Sequence, residues 1–197
     1  MNINHEFIET MNQAGCEIIG FADLHGLRGV NPNIPAWPKF VTCGIVMGAA
    51  YAAGDTGYLL NLFNETAVIF LKERGYKANT TIKPLKMLGT LSGLGWVGRC
   101  AMFNTVETGP ALRLTSVLTD APFECGTPIT QSLCPPECTN CADICPTGAI
   151  SRGLWEQGAI NHSGYWDYEL CKKGRSKLKC GAICISACRY ATGGEIN

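Results

Sequence analysis

The chain has 197 residues, with 16 basic and 16 acidic side chains and a formal net charge of zero. This balance excludes a whole-chain field that would attract nucleic acid or an anionic membrane, so recognition must be local. The length suits one medium domain, or a larger domain followed by a small one held together by metal. No N-terminal signal segment is apparent, and the longest apolar stretch, 41–54, is too short for a bilayer, which needs about 20 residues. We therefore expect a reduced, cytoplasmic protein without membrane contact.

The predicted elements up to about residue 124 are of both kinds. Apolar residues recur at helical spacing in the opening segment and in 58–74, where Gly75 follows as a C-cap. Strands are predicted where β-branched or alternating apolar residues occur, at 17–22, 40–47 and 111–119. Three prolines within 31–38 predict an extended connector. After residue 122 the composition shifts to Cys, Gly and Pro, which predicts a domain boundary near residue 125.

Eight of the twelve cysteines fall in two C-terminal runs. The first run has the spacing C-x3-C-x2-C-x3-C-P, one residue longer than the bacterial ferredoxin pattern, and the second run is looser. A 4Fe-4S cluster takes four thiolates, and in two-cluster ferredoxins the fourth Cys of a run serves the other cluster. Two runs of four therefore predict two clusters. A four-cysteine zinc site and a disulfide scaffold are the alternatives. The runs are Cys134, Cys138, Cys141 and Cys145, then Cys171, Cys180, Cys184 and Cys188.

Three segments, 93–99, 113–122 and 138–149, resemble epoxyqueuosine reductases and, more distantly, reductive dehalogenases. They share a Gly-Leu-Gly-Trp loop, a Leu-Thr-Asp strand end and a two-cluster cysteine module in the same order. The resemblance implies an α+β chain: a nitroreductase-like α/β domain over 1–124 that holds cobalamin, then a ferredoxin-like domain over 125–197. It also implies an oxidoreductase, and the predicted clusters themselves suggest an anaerobe or a protected site.

The resemblance further implies a ligand set for each cluster. One cluster would take Cys134, Cys138, Cys141 and Cys188, and the other Cys145, Cys171, Cys180 and Cys184. The remaining cysteines, Cys16, Cys43, Cys100 and Cys125, are expected to be buried thiols, although Cys125 could replace Cys134 as a ligand. One departure concerns the substrate: where epoxyqueuosine reductases carry a proton-donating carboxylate, this chain has Thr81, which cannot act as a general acid. A substrate other than epoxyqueuosine is therefore expected.

The glycine loop supplies the candidate cofactor-binding residues Gly93, Gly95, Trp96, Gly98 and Arg99. Its G-x-G-x-x-G pattern also matches the dinucleotide fingerprint, but that motif requires a strand before the loop, and 85–91 reads as a helix. A glycine loop that lets the backbone approach a flat cofactor fits better. Arg99 could pair with a cofactor or an anionic substrate, or form an ordinary surface salt bridge. Tyr51 is a candidate proton donor, with a core aromatic as the alternative. These two are the predicted catalytic residues.

Five cations within 172–179 predict a docking surface for an acidic electron donor such as a ferredoxin or flavodoxin, with nucleic-acid phosphate or a solvated loop as alternatives. The favoured function is a reductase in which two 4Fe-4S clusters feed a corrinoid, or a flavin, in the N-terminal domain. The substrate, a small molecule or tRNA, is not specified by the sequence. The competing class is a non-catalytic electron carrier or a corrinoid-activating protein. The segment 153–169, rich in Trp and Tyr, is expected to shield a cluster from water.

Overall fold

The computed structural model describes residues 2–27, 37–81, 84–157 and 164–191. Most of the predicted connector at 31–38, the side chain of Thr81 and part of the aromatic segment at 153–169 lie outside these residues. The helices are α1 (Ile3–Gln13), α2 (Thr56–Glu73), α3 (Leu85–Leu91), α4 (Asn140–Asp143), α5 (Tyr168–Lys177) and α6 (Ile183–Ser186). The strands are β1 (Ile18–Asp23), β2 (Cys43–Ala50), β3 (Ala78–Thr81), β4 (Trp96–Val97), β5 (Phe103–Asn104) and β6 (Leu112–Thr119).

The chain forms two compact units. The first comprises Met1–Leu94 and Leu112–Pro128, and the second Gly95–Ala111 and Ile129–Asn197. Composition alone places one boundary near residue 125. The structure instead assigns the segment 95–111, which precedes that boundary by at least fourteen residues, to the cysteine-rich unit. The first unit is therefore interrupted by a hairpin that belongs to the second.

The first unit is built on a four-stranded antiparallel sheet in the order β1-β2-β6-β3. α1 is capped by Asn2, whose side chain accepts a hydrogen bond from the Asn4 N–H. The helix ends at Gln13, shortly before Gly15, which adopts a positive φ of 81°. α2 begins at the Asp55 cap and is followed by Gly75, also at φ 81°, as predicted. The sheet contains no parallel pair among its described strands, which argues against a dinucleotide-binding βαβ unit.

The sheet is covered on both faces. On one face, Ile45, Met47 and Val117 pack against α1 and α2 in a core that contains five phenylalanines. On the other face, Val46 and Leu118 pack against α3. The alternating sequence of 111–119 predicts alternating burial along this strand, but the last five residues of β6 are all buried. The reason is that β6 lies between β2 and β3 and has a core on each of its faces. Among the described residues, no helix is long and apolar enough to cross a bilayer.

The second unit has little regular structure. The hairpin of β4 and β5 pairs Trp96 with Asn104 and Val97 with Phe103. Three short helices, α4, α5 and α6, carry or adjoin the cysteines, and isolated bridges join Gln131 to Glu156 and Ile150 to Trp166. The aromatic residues Trp155, Tyr165 and Trp166 form a small core with Val97 and Ala101. This core is too small to hold the unit together by apolar burial alone, which is consistent with a metal-supported fold.

Candidate metal centre

The turn between β4 and β5 carries the second half of the glycine loop. It is closed by hydrogen bonds from the Gly98 N–H to the Met102 carbonyl and from the Ala101 N–H to the Gly98 carbonyl, each 2.8 Å long. Ala101 has a positive φ of 59°, an unusual backbone conformation for a residue with a Cβ. This tight turn directs Arg99 and Cys100 into the interior of the unit, where they are 1% and 6% exposed.

Arg99 is enclosed by backbone carbonyls. Its Nε donates to the Cys138 carbonyl at 3.0 Å. Nη1 donates to the carbonyls of Arg152 and Gly153, and Nη2 to those of Pro135 and Pro136. A guanidinium has five N–H donors in a fixed fork, so these five acceptors satisfy all of them. Arg99 was predicted to pair with a cofactor or substrate; in the structure its guanidinium instead holds together the loop that carries the first cysteines.

The charge of Arg99 has no carboxylate partner. Among the described residues, the three ion pairs are His25–Asp23, Arg74–Glu6 and Arg152–Asp143. A buried cation surrounded only by neutral carbonyls is costly unless an anion lies nearby. The Cys141 thiol feels this cation: its pKa is lowered chiefly by the hydrogen bond with Cys100, and the charge of Arg99 acts in the same direction. Arg99 therefore favours the thiolate form of Cys141.

The first cysteine set gathers around Cys188. Burial, with added repulsion from Cys134, Cys141 and Cys138, raises the pKa of the Cys188 thiol to about 11, against the opposing Tyr190 N–H. These four residues are the set that the resemblance implied for one cluster. Cys134 also lies against the turn, because a Cβ added to Gly98 would come within 3.4 Å of its sulfur.

Two buried side chains flank this set. Asn104 donates from Nδ2 to the Met102 carbonyl at 2.7 Å, and its Oδ1 lies 3.9 Å from the Cys188 sulfur. Trp96 is 1% exposed and packs edge-on against Tyr190 with ring centroids 5.5 Å apart. Its indole N–H has no hydrogen-bond partner within the described part of the chain. A buried, unpaired donor of this kind is a group that an N–H···S hydrogen bond to a cluster would satisfy.

The second set is brought together by α5 and the loop after α4. Burial raises the pKa of Cys171, and the nearby sulfurs of Cys184 and Cys180 act in the same direction. For Cys145 the link to α5 is its neighbour Thr147: a Cβ on Gly174 of α5 would lie 3.0 Å from the Thr147 methyl group.

The environment of Cys145 suits a thiolate. Burial acts to raise its pKa, but hydrogen bonds from the N–H groups of Thr147, Ala149 and Ile150 and from the Thr147 hydroxyl outweigh burial and lower the pKa. The Thr147 oxygen lies 3.7 Å from the sulfur. Several donors converging on one sulfur stabilise its anionic form, which is the form that binds metal.

Cys100 lies between the two sets and was not predicted to do so. Its hydrogen bonds to Cys141 and Cys184, followed by burial, raise its pKa. Cys141 belongs to the first set and Cys184 to the second. One buried thiol therefore contacts a sulfur of each set, and nothing in the local spacing of the cysteines could indicate this.

The donor set fits iron-sulfur clusters. No group of three or more His, Cys, Asp or Glu side chains in the described ranges is arranged around a single metal ion. A cubane cluster spreads its four thiolates around a larger body than one ion does, and the unpaired Trp96 N–H and the buried Arg99 charge match the hydrogen bonds and positive charge that such a cluster takes.

The remaining predicted residues lie elsewhere or have protein partners. A Cβ on Gly93 would meet the Thr127 carbonyl oxygen at 2.6 Å, and one on Gly95 would overlap the Asn104 carbonyl oxygen. The glycines therefore permit close packing of the protein's own backbone, and their contact with a cofactor stays a prediction. Tyr51 lies in a 3-10 turn, Tyr51–Ala53, after β2 and is 45% exposed, so it is not a core aromatic.

Two other predictions concern exposure. Cys16, Cys43 and Cys100 are buried as expected, but Cys125 is exposed. Its sulfur lies 3.9 Å from that of Cys43, within the first unit, whereas Cys134 lies in the second. The basic segment 172–179 is mostly helical rather than a loop, and its five cations are all exposed on and just after α5.

The comparisons with known proteins agree with the resemblance. No family model matches the chain. An epoxyqueuosine reductase of Bacillus anthracis is 40% identical over 62 residues, covering 32% of this chain and 16% of that protein. A tetrachloroethene reductive dehalogenase of Sulfurospirillum multivorans is 35% identical over 114 residues, covering 52% of this chain and 22% of that protein. The chain thus matches less than a quarter of either relative's length. The predicted resemblance to these two groups is confirmed.

Solved structures of both groups share the fold. An epoxyqueuosine reductase with an epoxyqueuosine-modified tRNA stem loop has a TM-score of 0.58 at 21% identity, over 75% of this chain and 52% of that one. A catabolic reductive dehalogenase in complex with 3-bromo-4-hydroxybenzoic acid has a TM-score of 0.68 at 19% identity, over 93% of this chain and 31% of that one. A reductive dehalogenase studied for B12-dependent dehalogenation has a TM-score of 0.65 at 20% identity, over 92% of this chain and 30% of that one. The mixed α/β fold is therefore common to both groups and this chain.

Proposed function

We propose that this protein is an iron-sulfur reductase that carries two 4Fe-4S clusters and passes their electrons to a corrinoid, or to a flavin, bound by the first unit. The clusters would be held by Cys134, Cys138, Cys141 and Cys188, and by Cys145, Cys171, Cys180 and Cys184. The observation that carries the proposal is the buried, carbonyl-enclosed Arg99 beside the first set, which has no carboxylate partner within the described part of the chain, because this cation requires the anion that a thiolate-ligated cluster supplies.

The role of the protein in this chemistry is electrostatic and positional. A bound corrinoid or flavin would supply the redox chemistry at the substrate. Arg99 holds the loop 135–138 in place, and the backbone N–H groups around Cys145 stabilise its thiolate. The buried Cys100 thiol feels a sulfur of each set, Cys141 and Cys184, so it would lie close to both clusters.

The substrate we propose is not epoxyqueuosine. β3 ends at Thr81, the position where the resemblance implies a carboxylate, and a threonine hydroxyl cannot donate a proton as a general acid near neutral pH. The epoxyqueuosine reductase structure contains a tRNA stem loop and a reductive dehalogenase structure contains a bromo-hydroxybenzoate. A small molecule is the better candidate here, with Tyr51 as a proton donor exposed at the end of β2.

Electron entry is assigned to the cationic surface of α5. The exposed side chains of Lys172, Lys173, Arg175, Lys177 and Lys179 would attract an acidic ferredoxin or flavodoxin. Reversing Lys172 and Lys173 to Glu should slow reduction by such a donor about tenfold at low salt, and the difference should shrink at high salt. The control replaces Lys39 and Lys72, which are exposed on the first unit, by Glu; this should change the rate of reduction by the donor little.

A second function, electron carriage without a resident corrinoid, is favoured by the packing of the glycine loop. Gly93 and Gly95 face Thr127 and Asn104 of the protein itself. Such a carrier, or a corrinoid-activating protein, would need the clusters and the α5 surface but no cofactor in the first unit.

The deciding experiment is anaerobic reconstitution with iron and sulfide. Hydroxocobalamin or flavin is then added, and the protein is desalted to remove cofactor that is not bound. About eight irons per chain and a corrinoid band that survives desalting support the reductase. About eight irons with neither cofactor retained support the carrier, and about four irons refute the second cysteine set.

Matched cysteine variants test the ligand assignment. Cys134→Ser should lower the iron content and broaden the spectrum of one cluster, because it removes a ligand of the first set. Cys125→Ser should retain about eight irons, since Cys125 lies beside Cys43 and outside both sets. If Cys125→Ser instead lost iron and Cys134→Ser retained it, Cys125 would be the ligand and Cys134 would not.

A further inference from the structure

Cys43 and Cys125 form a thiol pair that neither cluster uses. Their sulfur atoms lie 3.9 Å apart, although the residues are 82 positions apart in the sequence. Cys43 opens β2, where it pairs with Asp23 of β1 and Thr119 of β6, and it is 2% exposed. Cys125 lies in the exposed segment after β6. The pair thus consists of one solvent-accessible thiol and one buried thiol in contact.

The backbone on both sides of Cys125 is fixed. The Glu124 N–H donates to the Asn4 side chain and the Glu124 carbonyl accepts from it, each at 2.9 Å. The Gly126 N–H donates to the Phe21 carbonyl at 2.9 Å. Because these bonds attach the segment to α1 and β1, the approach of the two sulfurs is a property of the folded unit.

We propose that Cys43 and Cys125 are a redox-active dithiol, in which Cys125 reacts with an external disulfide or peroxide and Cys43 resolves the product into an intramolecular disulfide. Closing the bond requires the sulfurs to move from 3.9 Å to about 2.05 Å, which a side-chain rotation of the exposed Cys125 can supply. Reactive thiols of this kind are accessible and lie next to a resolving cysteine.

The local electrostatics support this division of roles. The hydrogen bond from Cys43 lowers the pKa of Cys125 and, together with burial, raises that of Cys43. His25 acts in the same direction on Cys125, whereas Asp23, hydrogen-bonded to His25 at 2.7 Å, opposes it. The exposed thiol is therefore the better nucleophile, because the thiolate is the attacking species.

With glutathione disulfide as oxidant, the reaction has two balanced steps. The Cys125 thiolate attacks one glutathione sulfur, the disulfide bond breaks, and one glutathione leaves as its thiolate. The Cys43 thiol then loses its proton to solvent and attacks the Cys125 sulfur, which releases the second glutathione. Two protein thiols are oxidised to a disulfide, and one glutathione disulfide is reduced to two glutathione molecules.

The test uses the cluster-loaded protein under anaerobic conditions with glutathione disulfide, followed by acid trapping of free thiols, peptide mapping and an iron assay. Wild type should yield a peptide pair joined through Cys43 and Cys125 without loss of iron. Cys43→Ser should instead accumulate glutathione on Cys125, and Cys125→Ser should yield neither product. Cys16, which is fully buried and whose thiol donates to the Ile18 carbonyl, should stay reduced in every sample.

The disulfide should also stabilise the first unit. Cross-linking residues this far apart restricts the unfolded chain, so the oxidised protein should melt roughly 5–15 °C above the reduced one, and Cys43→Ser should abolish the difference. Stable glutathione on Cys125 of the wild type, with Cys43 free, would overturn the proposal. So would a cross-link that forms only after iron is released. Neither outcome depends on the proposed reductase activity, since the pair lies outside both cysteine sets.

Discussion

Replacing Arg99 by Met separates its structural and electrostatic contributions. The substitution keeps most of the side-chain volume but removes five donors, and the carbonyls of Cys138, Arg152, Gly153, Pro135 and Pro136 lose their partner. An unsatisfied buried polar group costs about 1–3 kcal/mol, but relaxation and water recover part of this cost. Because five carbonyls lose their donor and only part of that cost is recovered, we expect the free energy of unfolding of the cysteine unit to fall by about 3–5 kcal/mol.

The same change should shift the reduction potential of the first cluster. Arg99 Nε lies 3.0 Å from the Cys138 carbonyl, so its charge would sit on the order of 7 Å from a cluster bound there. At an effective dielectric constant of about 20, Coulomb's law gives about 2.4 kcal/mol. For a one-electron couple this corresponds to about 100 mV. Because a positive charge favours the more anionic reduced cluster, its removal should make the potential more negative.

The assay is an anaerobic redox titration followed by electron paramagnetic resonance, with iron content measured in parallel. Arg99→Lys keeps the charge but lacks the fork, so it should retain the potential while losing part of the stability. Arg152→Met is the control, because that side chain is 74% exposed and paired with Asp143. A fully loaded Arg99→Met protein within about 20 mV of wild type, or an equal shift in Arg152→Met, would refute the charge argument. If Arg99→Met does not load, Arg99→Lys must still show a wild-type potential.

Three further predictions concern the first unit and the hairpin. Phe7→Ala should cost about 3–5 kcal/mol in urea unfolding, because the ring packs on three other phenylalanines, whereas Ile8→Ala, at a partly exposed position, should cost under about 1 kcal/mol. Gly95→Ala should weaken cluster retention, since its Cβ would overlap the Asn104 carbonyl oxygen; an unchanged iron content would contradict this packing. Burial raises the pKa of Cys16 from 9.0 to about 12, so its contribution to stability should be complete below pH 9 and be lost as the pH rises towards 12. Unfolding of Cys16→Ala compared at pH 8 and about pH 10.5 should show a smaller alkaline loss than wild type.

The local elements of this protein follow from its sequence. Helical spacing of apolar residues indicates α1 and α2, β-branched residues indicate β1 and β2, and Gly75 marks the end of α2, because these signals depend on neighbours only a few residues apart. The same holds for the helix before the glycine loop, which weakens the dinucleotide-binding interpretation. Strand β3 was missed because its sequence, Ala-Asn-Thr-Thr, has no apolar alternation; its pairing with β6 defines it.

Spacing of the cysteines likewise indicates metal, since short, clustered intervals followed by Cys-Pro are a local pattern. Only the tertiary structure decides what surrounds them. Arg99 meets five carbonyls contributed by residues 36 to 54 positions away, Cys100 reaches a sulfur of each set, and Cys125 lies beside Cys43 across 82 positions. These contacts depend on how segments that are distant in sequence pack together, and the periodic pattern of apolar residues does not indicate this. The sequence by itself therefore determined the kind of ligand and the local elements, and the fold decided which charges and thiols face one another, because electrostatic partners are chosen by distance in space.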